Sequence, residues 1–169
     1  VIVSEGATAM NTGTYADPGA DTVSLAASVG TVTDTGGGAW SWSFATSDGP
    51  TESQVVTITA TDSDGAESTT TFPLSVNNVE PTLVIDNATV TASEGAVAGN
   101  SGTFGDVGDD TVTITSSVGS ITQDEQNGTW QWSYQTTDGV EDSQTVTLTA
   151  SDEDGGIISQ TFDLVVNNV

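Results

Sequence analysis

WSWSFATSDG, residues 40–49, returns as WQWSYQTTDG at residues 130–139, and the sequence around it returns too. SEGATAMNTGTYADPGADTVSLAASVG (4–30) recurs as SEGAVAGNSGTFGDVGDDTVTITSSVG (93–119), shifted by 89. TATDSDG (59–65) recurs at 149–155 as TASDEDG and VNNV (76–79) recurs at 166–169, both shifted by 90 like the Trp segment. One residue has therefore been inserted in the hairpin ahead of the Trp pair. Self-similarity at this period divides the chain into two tandem domains, 1–79 and 80–169, joined near Asn77-Asn78-Val79-Glu80-Pro81. Val1 aligns with Val90, so PTLVIDNAT (81–89) has no counterpart in the first copy. The first strand of that copy is expected to be truncated, and the whole to be a window on a longer array.

Trp40, Trp42 and Phe44 recur at period two, which is the side-chain repeat of a strand. The same alternation predicts seven strands in the first copy, over roughly 1–4, 7–15, 22–28, 30–34, 39–46, 54–61 and 66–76. Val23, Leu25, Val32, Trp40, Trp42, Phe44, Val56, Ile58, Phe72, Leu74 and Val76 are its expected inward residues. In the second copy these become Val112, Ile114, Ile121, Trp130, Trp132, Tyr134, Val146, Leu148, Phe162, Leu164 and Val166. Seven short strands with polar turns in under 90 residues predict an all-β fold of two tandem seven-stranded immunoglobulin-like β-sandwiches. A sandwich this poor in Leu and Ile needs its aromatic residues inside, which argues against an exposed sugar-stacking platform. Pro73 within the last strand implies a position where no N–H is needed.

Composition narrows the function. The 169 residues hold 24 carboxylates and no Lys, Arg or His, for a formal charge of −24. Nucleic acid is excluded as a partner, since phosphate binding needs Lys or Arg. An anionic membrane surface is excluded for the same reason, and no apolar run is long enough for membrane insertion. Without Cys or His there are no disulfides, no thiolate nucleophile and no ordinary acid–base or zinc ligand. Paired carboxylates run glycoside hydrolysis, but here they fall in short polar loops, and no enzyme activity is expected. Asn87-Ala88-Thr89 and Asn127-Gly128-Thr129 match the N-glycosylation pattern.

Every acid must then be solvated, hydrogen-bonded or bound to a cation. An odd number of strands brings the chain in at one pole of a sandwich and out at the other, which predicts head-to-tail domains. Strand counting assigns Asp17, Asp21, Asp62 and Asp64 to the N-terminal pole of the first copy, and Glu5, Asp48 and Glu52 to its C-terminal pole. Asn77, Asn78 and Glu80 lie in the linker; Asp106, Asp109, Asp110, Asp152, Glu153 and Asp154 form the N-terminal pole of the second copy. Solvated Asp-Gly turns are the plain reading of these loops. Carboxylates gathered this densely repel unless neutralised, however, and the expected cofactor is Ca²⁺, which takes six to eight oxygens in irregular geometry. Mg²⁺ dehydrates reluctantly and suits such cages less well.

V-x-x-S-E-G (1–6), the D-P-x-x-D loop (17–21), W-x-W-S-[FY] (40–44), T-x-T-A-[TS]-D-x-D-G (57–65) and the closing V-N-N-V together resemble bacterial immunoglobulin-like repeats. They are also similar to the PKD-type and cadherin-like repeats of large secreted adhesins. The resemblance covers nearly the whole chain, twice. It implies an extended, calcium-rigidified stalk in which Glu5, Asn77, Asn78, Asp152 and Asp154 share the ions. The D-x-N-D-N linker and D-R-E motif of true cadherins are absent. The expected function is thus an extracellular, cell-surface spacer and adhesion repeat. Its expected partners are neighbouring repeats of the same chain, with glycans or other surface proteins engaged through other domains. Two alternatives are a carbohydrate- or ligand-binding module, marked by a solvent-facing Trp or Tyr, and a protomer of a self-assembling surface filament, marked by exposed apolar strand edges.

Overall fold

Gln54–Thr61 and Glu67–Asn77 read QVVTITAT and ESTTTFPLSVN, Thr alternating with aliphatic residues, and they form one long antiparallel hairpin from Gln54↔Leu74 to Thr61↔Glu67. β-Branched side chains pack well on a half-buried pleated surface, so such runs settle as strands. The computed structural model describes residues 1–19 and 21–169; Ala20, within the D-P-x-x-D loop, lies outside the described residues. The chain separates into two units, Val1–Val79 and Glu80–Val169.

The first unit has seven strands: β1 (Ile2–Ser4), β2 (Thr8–Thr14), β3 (Ser24–Ala27), β4 (Thr31–Gly36), β5 (Ala39–Ala45), β6 (Gln54–Thr61) and β7 (Glu67–Asn77). They make two sheets, β1-β7-β6-β3 and β2-β5-β4. Pro73 lies just before the stretch of β7 that pairs in parallel with β1 (Ile2↔Ser75 to Ser4↔Asn77), so no ladder N–H is lost to β1 there. Trp42, Val56, Ile58, Leu74 and Val76 are buried between the sheets, while Val23, Leu25 and Val32 are only half-buried.

The second unit repeats this plan and adds a strand. It contains β8 (Thr82–Ile85), β9 (Thr89–Ser93), β10 (Val97–Gly105), β11 (Thr113–Ser116), β12 (Ser120–Asp124), β13 (Thr129–Gln135), β14 (Gln144–Ser151) and β15 (Ile157–Asn167). Its sheets are β12-β13-β10-β8 and β11-β14-β15-β9. Eight strands where seven were expected is a difference with a local cause. PTLVIDNAT, the stretch without a first-copy counterpart, supplies β8, which pairs antiparallel with β10 from Gly102↔Ile85 to Gly105↔Thr82. β8 pairs antiparallel with β10 in one sheet, and β9 pairs in parallel with β15 in the other.

Both cores centre on the Trp strand. Trp42 lies edge-on to Phe72 at 5.0 Å, and Trp132 to Phe162 at 4.9 Å. Such pairs add about 0.5–1.5 kcal/mol beyond the area they bury. The indole N–H groups are satisfied too, Trp42 donating to Val29 O and Trp132 to Val118 O, each at 2.7 Å.

Candidate functional site

At the C-terminal pole of the first unit, the turn after β1 meets the turn after β5. Glu5 is 2% exposed, and its carboxylate is held at both ends. Gly49 N–H donates to Oε2 and Val79 N–H to Oε1, each at 2.6 Å. Thr46, buried one turn earlier, shares its hydroxyl between Ala7 O at 2.9 Å and Ser4 O at 3.2 Å, and so fixes the loop that carries Glu5. A short 3₁₀ turn, Pro50–Glu52, returns Glu52 to the backbone, where Oε2 accepts from Ser47 and Asp48 N–H. Asp48 sits between these two carboxylates in sequence, and its Oδ1 is buried without a hydrogen-bond partner. Gly49 packs directly on Asn78, since a Cβ there would lie 2.7 Å from Asn78 Cα. The structure therefore brings Glu5, Asp48, Glu52 and Asn78 to one place. Asn77 contributes its backbone, Glu5 N–H donating to its carbonyl at 3.0 Å, and is exposed.

The second unit rebuilds the same pole. Glu94 accepts from Gly139 N–H at 3.0 Å and Val169 N–H at 3.3 Å, and Thr136 shares its hydroxyl between Ala96 O and Ser93 O. With its amide turned nitrogen-inward, Asn168 donates to both Glu94 oxygens at 2.8 and 3.2 Å. Asp142, in the 3₁₀ turn Val140–Asp142, takes the role of Glu52. Its carboxyl is held below the usual carboxylate range by N–H groups of Thr137 and Asp138.

At the N-terminal poles the D-x-D-G loops share one construction. Asp62 Oδ1 accepts from Asp64 N–H at 2.9 Å and Ala66 N–H at 2.8 Å. Asp152 Oδ1 accepts likewise from Asp154 N–H at 3.0 Å and Gly156 N–H at 2.8 Å. Gly65 and Gly155 follow at φ 90° and 96°, a conformation an L side chain rarely adopts. Each first Asp thus turns one oxygen inward as a loop cap. In the first unit the D-P-x-x-D loop comes alongside: Ser63 Oγ donates to Asp21 Oδ1 at 2.9 Å, and Asp17 Oδ1 caps Gly19 N–H at 2.8 Å. In the second unit Asp106 caps Val107 N–H, Asp106, Asp110 and Asp154 are half-buried, and Asp152 is buried. Glu80 is exposed.

Trp40, Trp42, Trp130 and Trp132 are 5%, 1%, 1% and 2% exposed, so no tryptophan offers a face to a sugar. No helix among the described residues is long and apolar enough to cross a membrane. Sequence reasoning missed Thr46, Thr136 and the capping role of Asp142; the only signal was the Thr shared by FATSDG and YQTTDG.

Among solved structures, the chain is similar to the titin domain pair Z1Z2 determined in complex with telethonin, at 17% identity and a TM-score of 0.55, over 100% of this chain and 92% of that one. The fold is immunoglobulin-like. Also similar are the titin I-band fragment I67–I69 (13% identity, TM-score 0.48, 99% of this chain and 62% of that one) and an endo-fucoidan hydrolase of glycoside hydrolase family 107 (19%, 0.44, 100% and 28%). The chain spans less than two thirds of the I-band fragment and less than a third of the hydrolase. At these identities the likeness is one of fold. No family profile and no curated protein matches the chain.

Proposed function

We propose that the chain is a calcium-stiffened spacer and adhesion repeat of a large bacterial cell-surface adhesin, working outside the cell and without enzymatic activity. The observation that carries this reading is the C-terminal pole of the first unit. Glu5, fixed by two backbone donors, lies in a turn that meets the turn of Asp48, whose Oδ1 is buried and unpartnered, in a chain with no cationic side chain. A buried acceptor without a partner is costly, and a hard cation satisfies it. Each carboxylate oxygen already holding one N–H keeps a further lone pair for such an ion.

Glu5, Asp48, Asn77, Asn78 and Glu80 would hold calcium with the C-terminal pole and linker, and Asp106, Asp110, Asp152 and Asp154 with the N-terminal pole of the second unit. Asp17, Asp21, Asp62 and Asp64 would serve the first unit in the same way. Bound calcium neutralises these acids and ties their loops together, which is how ligands on successive repeats would stiffen a stalk. Neighbouring repeats are thus the primary partners, and adhesion itself would use other domains.

Calorimetric titration with CaCl₂ tests the proposal. Extracellular calcium modules bind at about 10⁻⁴–10⁻³ M, and the same range is expected here, weakened by Asp48→Asn. ¹⁵N relaxation should show the two units tumbling in concert in calcium and independently in chelator. No calcium-dependent heat and no change in tumbling would sink the reading.

A further inference from the structure

Asn127-Gly128 is the one Asn-Gly pair in the chain, and it sits at the tip of the β12–β13 hairpin. The ladder ends at Asp124↔Thr129, which leaves Glu125, Gln126, Asn127 and Gly128 as the loop. Asn127 is exposed, and Gly128 takes the left-handed φ of 60°. Asn127 N–H closes the turn by donating to Asp124 O at 3.3 Å, and Gly128 is anchored through its carbonyl, which accepts from Phe104 N–H at 2.9 Å. Gly128 N–H makes no hydrogen bond among the described residues. In the first copy Gly37 stands where Asn127 does, and Gly38 O accepts from Tyr15 N–H at 2.8 Å in the same way. The hairpin of this fold therefore closes without an Asn side chain at that place.

One neighbour holds the Asn127 side chain. Asp124 Oδ2 accepts from Asn127 Nδ2 at 2.8 Å, while Oδ1 accepts from Gln126 N–H at 3.1 Å and Asn127 N–H at 3.3 Å. Those donors, the Asn127 amide first, hold the Asp124 carboxyl below the usual carboxylate range, so it is ionised at neutral pH. A hydrogen bond to an ionised acceptor is a strong one, and it opposes rotation of the amide. Beyond that restraint nothing shields the reaction that an Asn before Gly invites. Gly has no Cβ, so its backbone nitrogen is the least hindered partner a neighbouring side chain can meet, and its backbone reaches the widest range of conformations.

We propose that Asn127 is a site of spontaneous self-modification, restrained by Asp124. Gly128 N gives its proton to solvent and attacks Asn127 Cγ. The new N–C bond closes a cyclic imide, the Cγ–Nδ2 bond breaks, and ammonia leaves with a proton returned from solvent. Water then adds to either ring carbonyl and opens the imide to aspartate or isoaspartate. The sequence consumes water alone and transfers no electrons. Either product sets a carboxylate where the amide had donated, so two like charges meet in place of the bond to Asp124. Isoaspartate also lengthens the loop backbone by a methylene. The hairpin then loosens from Asp124↔Thr129 inward. The inference rests on no bound cation.

The test ages the full 169-residue chain at neutral and mildly alkaline pH and follows every Asn by peptide mass mapping. A protease that cuts before aspartate but not before isoaspartate separates the two products. Asn127 should react faster than any other Asn by about tenfold or more, a barrier difference of about 1.4 kcal/mol. Asp124→Ala should react faster still, with hydrogen exchange along β14 and β15 confirming that the variant is folded, and Asp124→Asn, which keeps one acceptor oxygen, should fall between it and the parent. The aged chain and Asn127→Asp should both exchange faster along β12 and β13, with the first unit unchanged. The proposal is overturned if another Asn reacts first, or if folded Asp124→Ala reacts no faster than the parent. It is overturned equally if β12 and β13 of the modified chain exchange as they did before ageing.

Discussion

Thr46 and Thr136 each place a carboxylate by holding the loop that carries it, and neither announces this in the sequence. Their hydroxyls are buried and shared between two carbonyls of the turn ahead of Glu5 or Glu94. Thr136→Val keeps the volume and removes the hydroxyl. The net loss should be about 1 kcal/mol, read by denaturant unfolding. Periodicity exposed the Trp residues because they alternate; a hydroxyl at a strand end has no period to betray it. Asp142 was hidden for a similar reason, since its partners are backbone N–H groups formed only once the 3₁₀ turn closes. Those donors, Thr137 first and Asp138 next, lower its folded pKa below the unfolded value of about 3.9. Its stabilisation is therefore fully present above that value and fades as pH falls through the folded pKa. Asp142→Asn should lower the melting temperature at neutral pH, and the gap to the parent chain should close below about pH 4. A gap of constant size across pH 3 to 7 would show that the carboxylate charge plays no part.

At the scale of elements, β6, β7, β14 and β15 were legible because Thr and Ser alternate with aliphatic and aromatic residues along them. β3 is shorter than the predicted 22–28 because only Ser24–Ala27 pair with β6. β8 was missed as a strand, although its lack of a first-copy counterpart was plain. Thr-Leu-Val-Ile between Pro81 and Asp86 is too short and too uniformly apolar to show a period, and its role depends on the edge of β10. Leu83→Ala tests that role. Truncating a buried Leu costs about 2–5 kcal/mol, and the loss should fall on the second unit alone, with hydrogen exchange accelerating along β10 and β13. An equal acceleration in β2 and β5 would mean that the first unit also depends on Leu83.

For the whole chain the governing fact is charge: 24 carboxylates and no cationic side chain. Repulsion among them destabilises the folded state, and two kinds of cation relieve it differently. Sodium screens, with a Debye length that shrinks from about 30 Å at 0.01 M to about 10 Å at 0.1 M. Its effect should rise smoothly with ionic strength and saturate. Calcium in built sites acts by mass action, adding about 2.7 kcal/mol per site at a hundredfold excess over the dissociation constant. For domains of this size 1 kcal/mol moves the melting temperature by about 4–8 °C, so one occupied site should raise it by about 10–20 °C. The decisive comparison holds ionic strength fixed and exchanges NaCl for CaCl₂, with MgCl₂ as a third arm. A shift of that size in calcium, much less in magnesium and little in sodium, is the expected result. Glu5→Gln should remove part of the calcium increment while leaving the sodium response unchanged, because one carboxylate in 24 barely alters the screened repulsion. Equal melting temperatures in all three salts at matched ionic strength would reduce the acidic poles to solvated turns.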